Sequence, residues 1–323
     1  MNILVLGAGT FGTAIANELS VNTENMVTLF SRNQEKVEEI NQFQTNKSCF
    51  PNKHLTKHLK ASSDKEFIRD AEIVFIALPS SVIIENLIAL KSFFKDDTLF
   101  VNLSKGLFER GVTIVESVKK ELDTENVVTL KGPSFAVEVM EHADTLLTLG
   151  YTTKQQYETV NKIVKNTSLH IDFTTDIRGV ELLSVLKNIY AVVLGVVDAK
   201  YNSPNTRFMI LTKSFTEVRV LLRSLGGADD TLFLACGFGD LCLTSLNDLS
   251  RNRTLGLLIG KSFFSADYKS NSVILEGLNA IEMFHDLVAD KDVSDKLPIF
   301  NKVYSFFHNN EKELEFKFHE LID

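Results

Sequence analysis

The first residues suited to chemistry form a glycine-rich segment near the start of the chain. Gly7, Gly9 and Gly12 make the pattern G-x-G-x-x-G, between the strand-like run Ile3–Leu6 and a helical pattern from Thr13. In this context the first glycine permits a tight turn and the second lets the backbone approach a pyrophosphate. The third lets the helix pack closely on the strand, and the helix N-terminus faces the anion. The segment therefore predicts a dinucleotide-binding loop.

The next strand-like run, Val27–Phe30, bears on which dinucleotide binds. It ends in Ser31, Arg32 and Asn33, where NAD-binding proteins usually place a carboxylate on the ribose 2′-hydroxyl. Arg32 is suited to bind a 2′-phosphate through charge-assisted hydrogen bonds or to stack on adenine. The alternative is a solvated surface arginine. The sequence permits NADPH without deciding between NADPH and NADH.

Two lysines are candidates for acid–base chemistry. Lys105 follows the strand-like run Thr98–Leu103, at the strand end where open α/β sheets keep their ligand crevice. Lys187 and Asn188 are the only strongly polar residues between positions 185 and 197. Burial favours the neutral amine, which suits proton transfer to a forming alkoxide, so we expect Lys187 to be the general acid/base. The alternatives are a solvated loop charge for Lys105 and, for Lys187, an amine that reaches solvent along its helix.

A candidate anion site lies further along the chain. Ser250 is the predicted N-cap of a helix whose first turn contains Arg251 and Asn252. Free backbone N–H groups, a guanidinium and an amide donor together suit a phosphate, although a capped helix with surface arginines has the same pattern. Asp240, in a glycine-rich turn, is suited to bind a substrate hydroxyl or to hold Lys187, although an aspartate in a turn needs neither role.

The elements around these residues predict two domains. Apolar, β-rich runs alternate with helical stretches in the first half, which indicates parallel strands covered by helices. The predicted strands are Ile3–Leu6, Val27–Phe30, Ile73–Leu78, Thr98–Leu103, Val127–Leu130, Leu146–Leu149 and Ser168–Phe173. The predicted helices of the second half are 178–200, 206–225, 251–264, 273–288 and 293–308. We expect a doubly wound, Rossmann-like, mostly parallel sheet over residues 1–176, followed by an all-α domain over residues 177–323.

Composition excludes several classes of protein. The 323 residues are 44% hydrophobic and 24% charged, which is typical of a globular protein. The net charge of −8 argues against a broad surface for nucleic acid or anionic membranes, so any anion site must be local. The longest apolar run, residues 189–197, is too short to span a membrane, and no secretory signal is read at the start.

Cysteine and histidine spacing give no sign of a metal. Cys49, Cys236 and Cys242 are an odd number without C-x-x-C spacing, and His54 and His58 lack further clustered ligands. We therefore expect no disulfide framework, no metal and a reducing, cytoplasmic location.

Taken in order, these segments resemble the bacterial-type NAD(P)-dependent glycerol-3-phosphate dehydrogenases over most of the chain, up to about residue 290. The segments that carry the resemblance are residues 7–14, 77–80, 104–106, 132–138, 181–188, 239–241, 250–252 and 276–277.

The resemblance implies reversible, NADPH- or NADH-dependent reduction of dihydroxyacetone phosphate to sn-glycerol 3-phosphate, which would supply glycerophospholipid synthesis. Lys187 would donate a proton to the carbonyl, and Lys105 would polarise or position it. The implied substrate residues are Lys105, Gly132, Ser134, Lys187, Asp240, Ser250, Arg251 and Asn252. The implied cofactor residues are Gly7, Gly9, Thr10, Phe11, Gly12, Arg32, Lys105, Ala136, Arg251 and Glu276.

The chain departs from the family in places. Phe11 stands where the family commonly has Trp, and residues 199–214, with bulky Arg207 and Phe208, differ from the usual small-residue segment. This segment bears on efficiency, regulation and the expected homodimer more than on reaction class. Two other interpretations are a related hydroxyacid or ketopantoate-type reductase and a non-catalytic NAD(P)-binding regulatory protein. The Ser250–Asn252 phosphate site disfavours the first, and retention of both lysines disfavours the second.

Overall fold

The protein consists of two compact units, each with its own apolar core. The computed structural model describes residues 1–263, 272–309, 311 and 313–321, with the backbone alone for 272–278. The first unit comprises Met1–Gly106 and Thr113–Ile177, and the second comprises Leu107–Val112 and Arg178–Asp323.

The first unit is built on one eight-stranded sheet. Its strands are β1 Asn2–Leu6, β2 Met26–Phe30, β3 Lys60–Ser62, β4 Ile73–Ile76, β5 Leu99–Asn102, β6 Val127–Lys131, β7 Thr145–Gly150 and β8 Leu169–Thr174. The order is β3-β2-β1-β4-β5-β6-β7-β8, and all neighbours are parallel except β6 and β7. Because the order turns back at β1, right-handed crossovers place helices on both faces, which confirms the predicted doubly wound fold.

Burial explains why the central strands were recognisable from sequence. In β1 and β4, residues Ile3–Leu6 and Ile73–Ile76 are at most 2% exposed, as strands covered on both faces require. The short edge strand β3 was not predicted. It has three residues, begins with the exposed Lys60 and pairs only with β2, so it carries no apolar run.

Seven α-helices are described in the first unit. They are α1 Thr10–Leu19, α2 Gln34–Phe43, α3 Glu66–Arg69, α4 Ile83–Leu90, α5 Ile114–Leu122, α6 Ala136–Met140 and α7 Lys154–Val164. Capping boxes start two of them: the Thr113 hydroxyl accepts the N–H of Glu116, and that of Thr153 accepts the N–H of Gln156.

The second unit is helical, as predicted. Its described α-helices are α8 Ile177–Tyr201, α9 Pro204–Ser224, α10 Asp240–Leu246, α11 Arg251–Gly260, α12 Ser272–Val288 and α13 Pro298–His308. Helix α10 was not predicted because seven residues give too few turns for a periodic signal. The predicted helix 293–308 begins later, at Pro298, where the fixed φ of proline suits a first helical position. The predicted helix 251–264 is too long, because α11 ends at Gly260, with Lys261 as its C-cap.

Helix α8 is the core of this unit. It is long and apolar enough to span a membrane by length and composition, but 94% of its apolar window is buried inside the protein. A helix that is apolar on nearly every face is typical of a buried core helix.

Leu107–Val112 packs with the second unit although it lies between parts of the first. Leu107 belongs to the helical core, and the carbonyl of Gly111 accepts a hydrogen bond from Nη2 of Arg178 at 3.4 Å. The predicted domain 1–176 includes this segment, because six residues carry no local sign of packing with a distant helix. The domain boundary at residue 176 stays a prediction.

Candidate functional site

The glycine loop joins β1 to α1 in the first unit. Gly7 has φ +113°, which a side chain would strain, and a Cβ on Gly12 would overlap the carbonyl of Gly7. Gly9, by contrast, is exposed, and a Cβ there would meet no protein atom within 4 Å. Gly9 is also the N-cap of α1 and offers no side chain to the first N–H groups of the helix. The loop therefore fits the pyrophosphate of a dinucleotide, because backbone donors are open to an anion.

The segment after β2 contributes positive charge beside this loop. Arg32 is exposed, and the Asn33 side chain caps α2 by accepting the N–H of Lys36 at 2.9 Å. Nζ of Lys36 donates to the carbonyl of Ala8, inside the glycine loop, at 3.0 Å. Sequence reasoning missed Lys36. Arg32 lies before the N-cap Asn33 and outside α2, so helical spacing does not relate the two cations.

Lys105 lies in the loop after β5, half-buried. The loop is held by its neighbour Ser104, whose hydroxyl donates to the carbonyl of Leu78 at 2.5 Å and whose N–H donates to Oδ1 of Asn102 at 2.9 Å. The main-chain carbonyl of Asn102 accepts in turn from Nζ of Lys131 at 2.9 Å. Lys131 is 2% exposed, and sequence reasoning missed it although it ends an apolar strand directly before Gly132.

The remaining candidates of the first unit lie near the end of β6. Ser134 is half-buried, and its hydroxyl donates to the carbonyl of Gly132 at 3.1 Å. Ala136 is the first residue of α6. The carboxyl ends of β4, β5 and β6 meet at one edge of the parallel sheet, so these loops share the edge that carries the glycine loop.

In the second unit, Lys187 belongs to a buried polar cluster. Its Nζ lies 2.5 Å from Oδ1 of Asp240 and 2.9 Å from Oγ1 of Thr244. The Thr244 hydroxyl is also 3.3 Å from Oδ1 of Asp240. The three residues are 5%, 1% and 7% exposed. Thr244 had no assigned role in the sequence analysis, although it lies one turn after Asp240 on α10.

This cluster shows where the Lys187 amine lies, whereas the roles of Lys187 and Asp240 toward a substrate stay predictions. The Lys187 amine does not reach solvent along α8, and Asp240 holds it. A carboxylate at this distance favours the charged ammonium, which opposes the effect of burial that the sequence argument considered alone. An amine held in this way is chemically able to donate a proton, and its role toward a ligand stays a prediction.

The predicted phosphate-binding turn is formed as a helix start. Ser250 is the N-cap of α11, and its hydroxyl accepts the N–H of Arg253 at 3.3 Å. Arg251 is exposed and Asn252 is half-buried. The buried arginine of the segment is Arg253, at 7% exposure, to which the sequence analysis gave no role.

The predicted site residues thus fall into two sets. Those in the first unit are Gly7, Gly9, Thr10, Phe11, Gly12, Arg32, Lys105, Gly132, Ser134 and Ala136. Those in the second are Lys187, Asp240, Ser250, Arg251 and Asn252. The side chain of Glu276 lies outside the described residues. The role of each residue toward a ligand stays a prediction.

A doubly wound sheet with a glycine loop after its first strand, followed by a helical unit with a buried lysine, is typical of two-domain NAD(P)-dependent dehydrogenases. Residues 2–157 match the family model for the N-terminus of NAD-dependent glycerol-3-phosphate dehydrogenase, and residues 176–316 match the model for its C-terminus. The chain therefore belongs to the NAD-dependent glycerol-3-phosphate dehydrogenase family, which confirms the resemblance.

Individual relatives and a solved structure support membership of the same family. The glycerol-3-phosphate dehydrogenase (NAD(P)+) of Methanothermobacter thermautotrophicus is 34% identical, over 94% of this chain and 92% of the relative. The glycerol-3-phosphate dehydrogenase (NAD(P)+) of Clostridium acetobutylicum is 32% identical, over 95% of this chain and 93% of the relative. The crystal structure of glycerol-3-phosphate dehydrogenase from Coxiella burnetii has a TM-score of 0.84 and 28% identity, over 96% of this chain and 95% of that one. A ketopantoate reductase from Staphylococcus aureus, at TM-score 0.53 and 14% identity, shares the fold alone.

Proposed function

We propose that this protein is an NAD(P)H-dependent oxidoreductase that reversibly reduces dihydroxyacetone phosphate to sn-glycerol 3-phosphate. The observation that carries the proposal is the buried cluster in which Asp240 and Thr244 hold the Lys187 amine. This supports Lys187 as the donor of a proton to the substrate carbonyl. Membership of the family supports the same reaction.

In the proposed mechanism, Lys187 is the general acid. Its ammonium donates a proton to the carbonyl oxygen of dihydroxyacetone phosphate as the carbonyl carbon is reduced to an alcohol. The reduced nicotinamide cofactor, when bound, supplies the hydride. Asp240 and Thr244 hold Nζ of Lys187 in place, and Asp240 stabilises the charged amine before transfer. In the reverse direction Lys187 accepts the hydroxyl proton, and Lys105 positions the reacting oxygen.

The substrate phosphate is proposed to bind at the start of α11. The free N–H groups of the first turn, the Arg251 guanidinium and the Asn252 amide suit a dianion, and Ser250 lies beside them. Gly132 and Ser134 are further proposed substrate contacts.

The dinucleotide is proposed to bind along the glycine loop of the first unit. Its proposed contacts are Gly7, Gly9, Thr10, Phe11, Gly12, Arg32, Lys105, Ala136, Arg251 and Glu276. The open space at Gly9 and the uncapped start of α1 support the pyrophosphate position. The positive charge of Arg32, with no carboxylate at the end of β2, supports NADPH beside NADH.

Several finer statements belong to the same proposal. The product would supply glycerophospholipid synthesis in a reducing cytoplasm, and the enzyme would bind neither nucleic acid nor the membrane interior. A homodimer is proposed as its assembly, which light scattering on a sizing column would test.

The testing experiment is oxidation of NADH and NADPH by the purified protein with dihydroxyacetone phosphate, with dihydroxyacetone and ketopantoate as phosphate-free controls. We expect turnover with the phosphorylated ketone alone. Turnover with ketopantoate instead would favour the related reductase. Cofactor binding without turnover of any ketone would favour the regulatory protein.

A further inference from the structure

Arg253 is a buried cation that the proposed chemistry does not use. Its Nη1 lies 2.5 Å from Oδ2 of Asp198 and 3.1 Å from the carbonyl oxygen of Ser245. Its Nε lies 2.9 Å from Oδ1 of Asp248. Its backbone N–H donates to the hydroxyl of Ser250, the N-cap of α11. One residue therefore contacts four others through its side chain and its backbone.

The contacted segments are the ones that carry the proposed substrate residues. Asp198 lies on α8, about three turns after Lys187. Ser245 lies on α10, directly after Thr244. Arg253 itself occupies the first turn of α11, with Arg251 and Asn252. A single guanidinium thus joins the end of α8 and the end of α10 to the start of α11.

The geometry of these contacts favours an arginine over a lysine. The guanidinium offers donors in a rigid planar fork, so it can hold a carboxylate and a carbonyl in fixed directions at once, whereas a lysine amine is a single point charge. Burial disfavours the charge, but hydrogen bonds from Arg253 to Asp198 and Asp248 outweigh it and raise the arginine pKa above its ordinary value. The side chain of Asp198 is 5% exposed, so the pair is enclosed.

We propose that Arg253 is a positioning residue for the substrate phosphate: it fixes the Ser250–Asn252 turn relative to the helices that carry Lys187 and Asp240. The inference rests on the proposed function. Arg253 holds these elements and does not itself touch the substrate, so its loss displaces the phosphate contacts while the lysine remains in place. A displacement of about 1 Å can cost as much as a hundredfold in catalysis.

The test compares Arg253→Lys, Arg253→Met and Asp198→Asn with the wild-type enzyme. We expect Arg253→Met to raise KM for dihydroxyacetone phosphate about tenfold or more and to lower kcat less, because the phosphate contacts are displaced. Arg253→Lys should give a KM between those of wild type and Arg253→Met, because lysine keeps the charge but lacks the planar set of N–H donors. The dissociation constant of NADPH, measured by calorimetry, should change less than twofold in each variant.

Arg207→Met is the matched control. Nε of Arg207 lies 2.5 Å from Oδ1 of the same aspartate, but the side chain is 30% exposed and no other acceptor of its guanidinium is described. Removing it leaves the pair of Asp198 and Arg253 intact, so KM should stay within twofold of wild type.

Two results would overturn the inference. One is a folded Arg253→Met with KM and kcat within twofold of wild type. The other is a lower melting temperature of Arg253→Met with an unchanged KM for dihydroxyacetone phosphate, which is what a purely structural role would give. If the wild-type enzyme does not reduce dihydroxyacetone phosphate, the proposed function fails instead. Calorimetric binding of inorganic phosphate then tests Arg253: weaker binding by Arg253→Met than by Arg207→Met supports the positioning role, and equal binding overturns it.

Discussion

At the scale of single residues, the buried ammonium of Lys187 depends on its partner. An isolated charge in the core of the second unit would be too costly to keep, whereas a carboxylate at 2.5 Å and a hydroxyl at 2.9 Å compensate for the lost water. The same contacts point the amine in one direction. The side chains that compensate for the buried charge of Lys187 therefore also fix the direction of its amine.

Replacing Lys187 tests its role as the acid. Lys187→Met should lower kcat by about a hundredfold or more, because general acid catalysis typically contributes 10² to 10⁴. NADPH affinity should remain close to wild type. Steady-state kinetics and calorimetry measure both.

Methionine at position 187 also leaves Asp240 buried without its cation, which costs about 3–5 kcal/mol of stability. The double variant Lys187→Met/Asp240→Asn removes that charge and serves as the folding control. Replacement of the exposed Lys291 by Met should leave turnover unchanged. A folded Lys187→Met with wild-type kcat would remove this lysine from the mechanism.

A second residue-scale prediction concerns Arg32. Arg32→Ala should weaken the binding of NADPH about tenfold more than the binding of NADH, because only NADPH has a 2′-phosphate for a charge-assisted contact. Titration with both cofactors measures the difference. Arg69→Ala, which removes an exposed arginine paired with Glu66 in the same unit, should affect neither. An equal loss for both cofactors in Arg32→Ala would show that it does not read the 2′-phosphate.

At the scale of elements, a buried carboxylate joins three helices of the second unit. Glu217 on α9 accepts the N–H groups of Ile299 and Phe300, at 2.6 and 2.9 Å, in the first turn of α13. The hydroxyl of Tyr190 on α8 donates to the same carboxyl group at 3.0 Å. Burial raises the pKa of Glu217 to about 7, although all three donors favour the ionised form, and burial also raises the pKa of Tyr190.

This geometry predicts a pH-dependent stability. The folded pKa lies above the ordinary value of 4.5, so the folded protein binds the additional proton between pH 4.5 and 7. The contribution of Glu217 to the free energy of unfolding is fully present below pH 4.5. This contribution, about 3 kcal/mol at most, is lost as the pH rises through 7.

The measurement is urea unfolding of wild type and Glu217→Gln at pH 5 and pH 8. Subtracting the variant removes the contribution of the other titrating groups. The difference in unfolding free energy should favour wild type more at pH 5 than at pH 8. A difference that is equal at both pH values would contradict the raised pKa.

At the scale of the whole molecule, two units with separate cores divide the proposed ligands. With a net charge of −8, the protein has no general attraction for phosphates, so each anion needs a local set of donors. The glycine loop of the first unit and the start of α11 in the second unit are the two sets of donors that we propose.

Cofactor binding should therefore stabilise the folded chain by mass action. At a free NADPH concentration of 100 times Kd, the free energy of unfolding should rise by about 2.7 kcal/mol. Urea unfolding followed by circular dichroism, with and without NADPH, measures this. Gly9→Ala should unfold like wild type without cofactor, because a Cβ at that position meets no protein atom, but should lose much of the increase. If NADPH raises the free energy of unfolding of Gly9→Ala as much as that of wild type, the pyrophosphate does not bind at Gly9.

Local patterns in the sequence were enough to predict much of this architecture. Continuous apolar runs identified the central strands, glycine spacing identified the loop, and Ser250 was recognisable as an N-cap, because each depends on residues close together in the chain. Short elements such as β3 and α10 escaped, since three or seven residues carry too little periodicity.

Only the tertiary structure decided which charged groups meet. Lys187 and Asp240 are 53 positions apart, and Arg253 and Asp198 are 55 apart, so no local spacing relates them. Lys187 stood out by its isolation among apolar residues, but whether its amine reached solvent or a carboxylate depended on where α10 packs. The position of Arg253 at a helix start is also typical of a surface arginine, whereas in the structure its side chain contacts Asp198, Ser245 and Asp248. The sequence determines backbone conformation through neighbouring residues, whereas the partners of a buried charge are determined by the packing of distant helices.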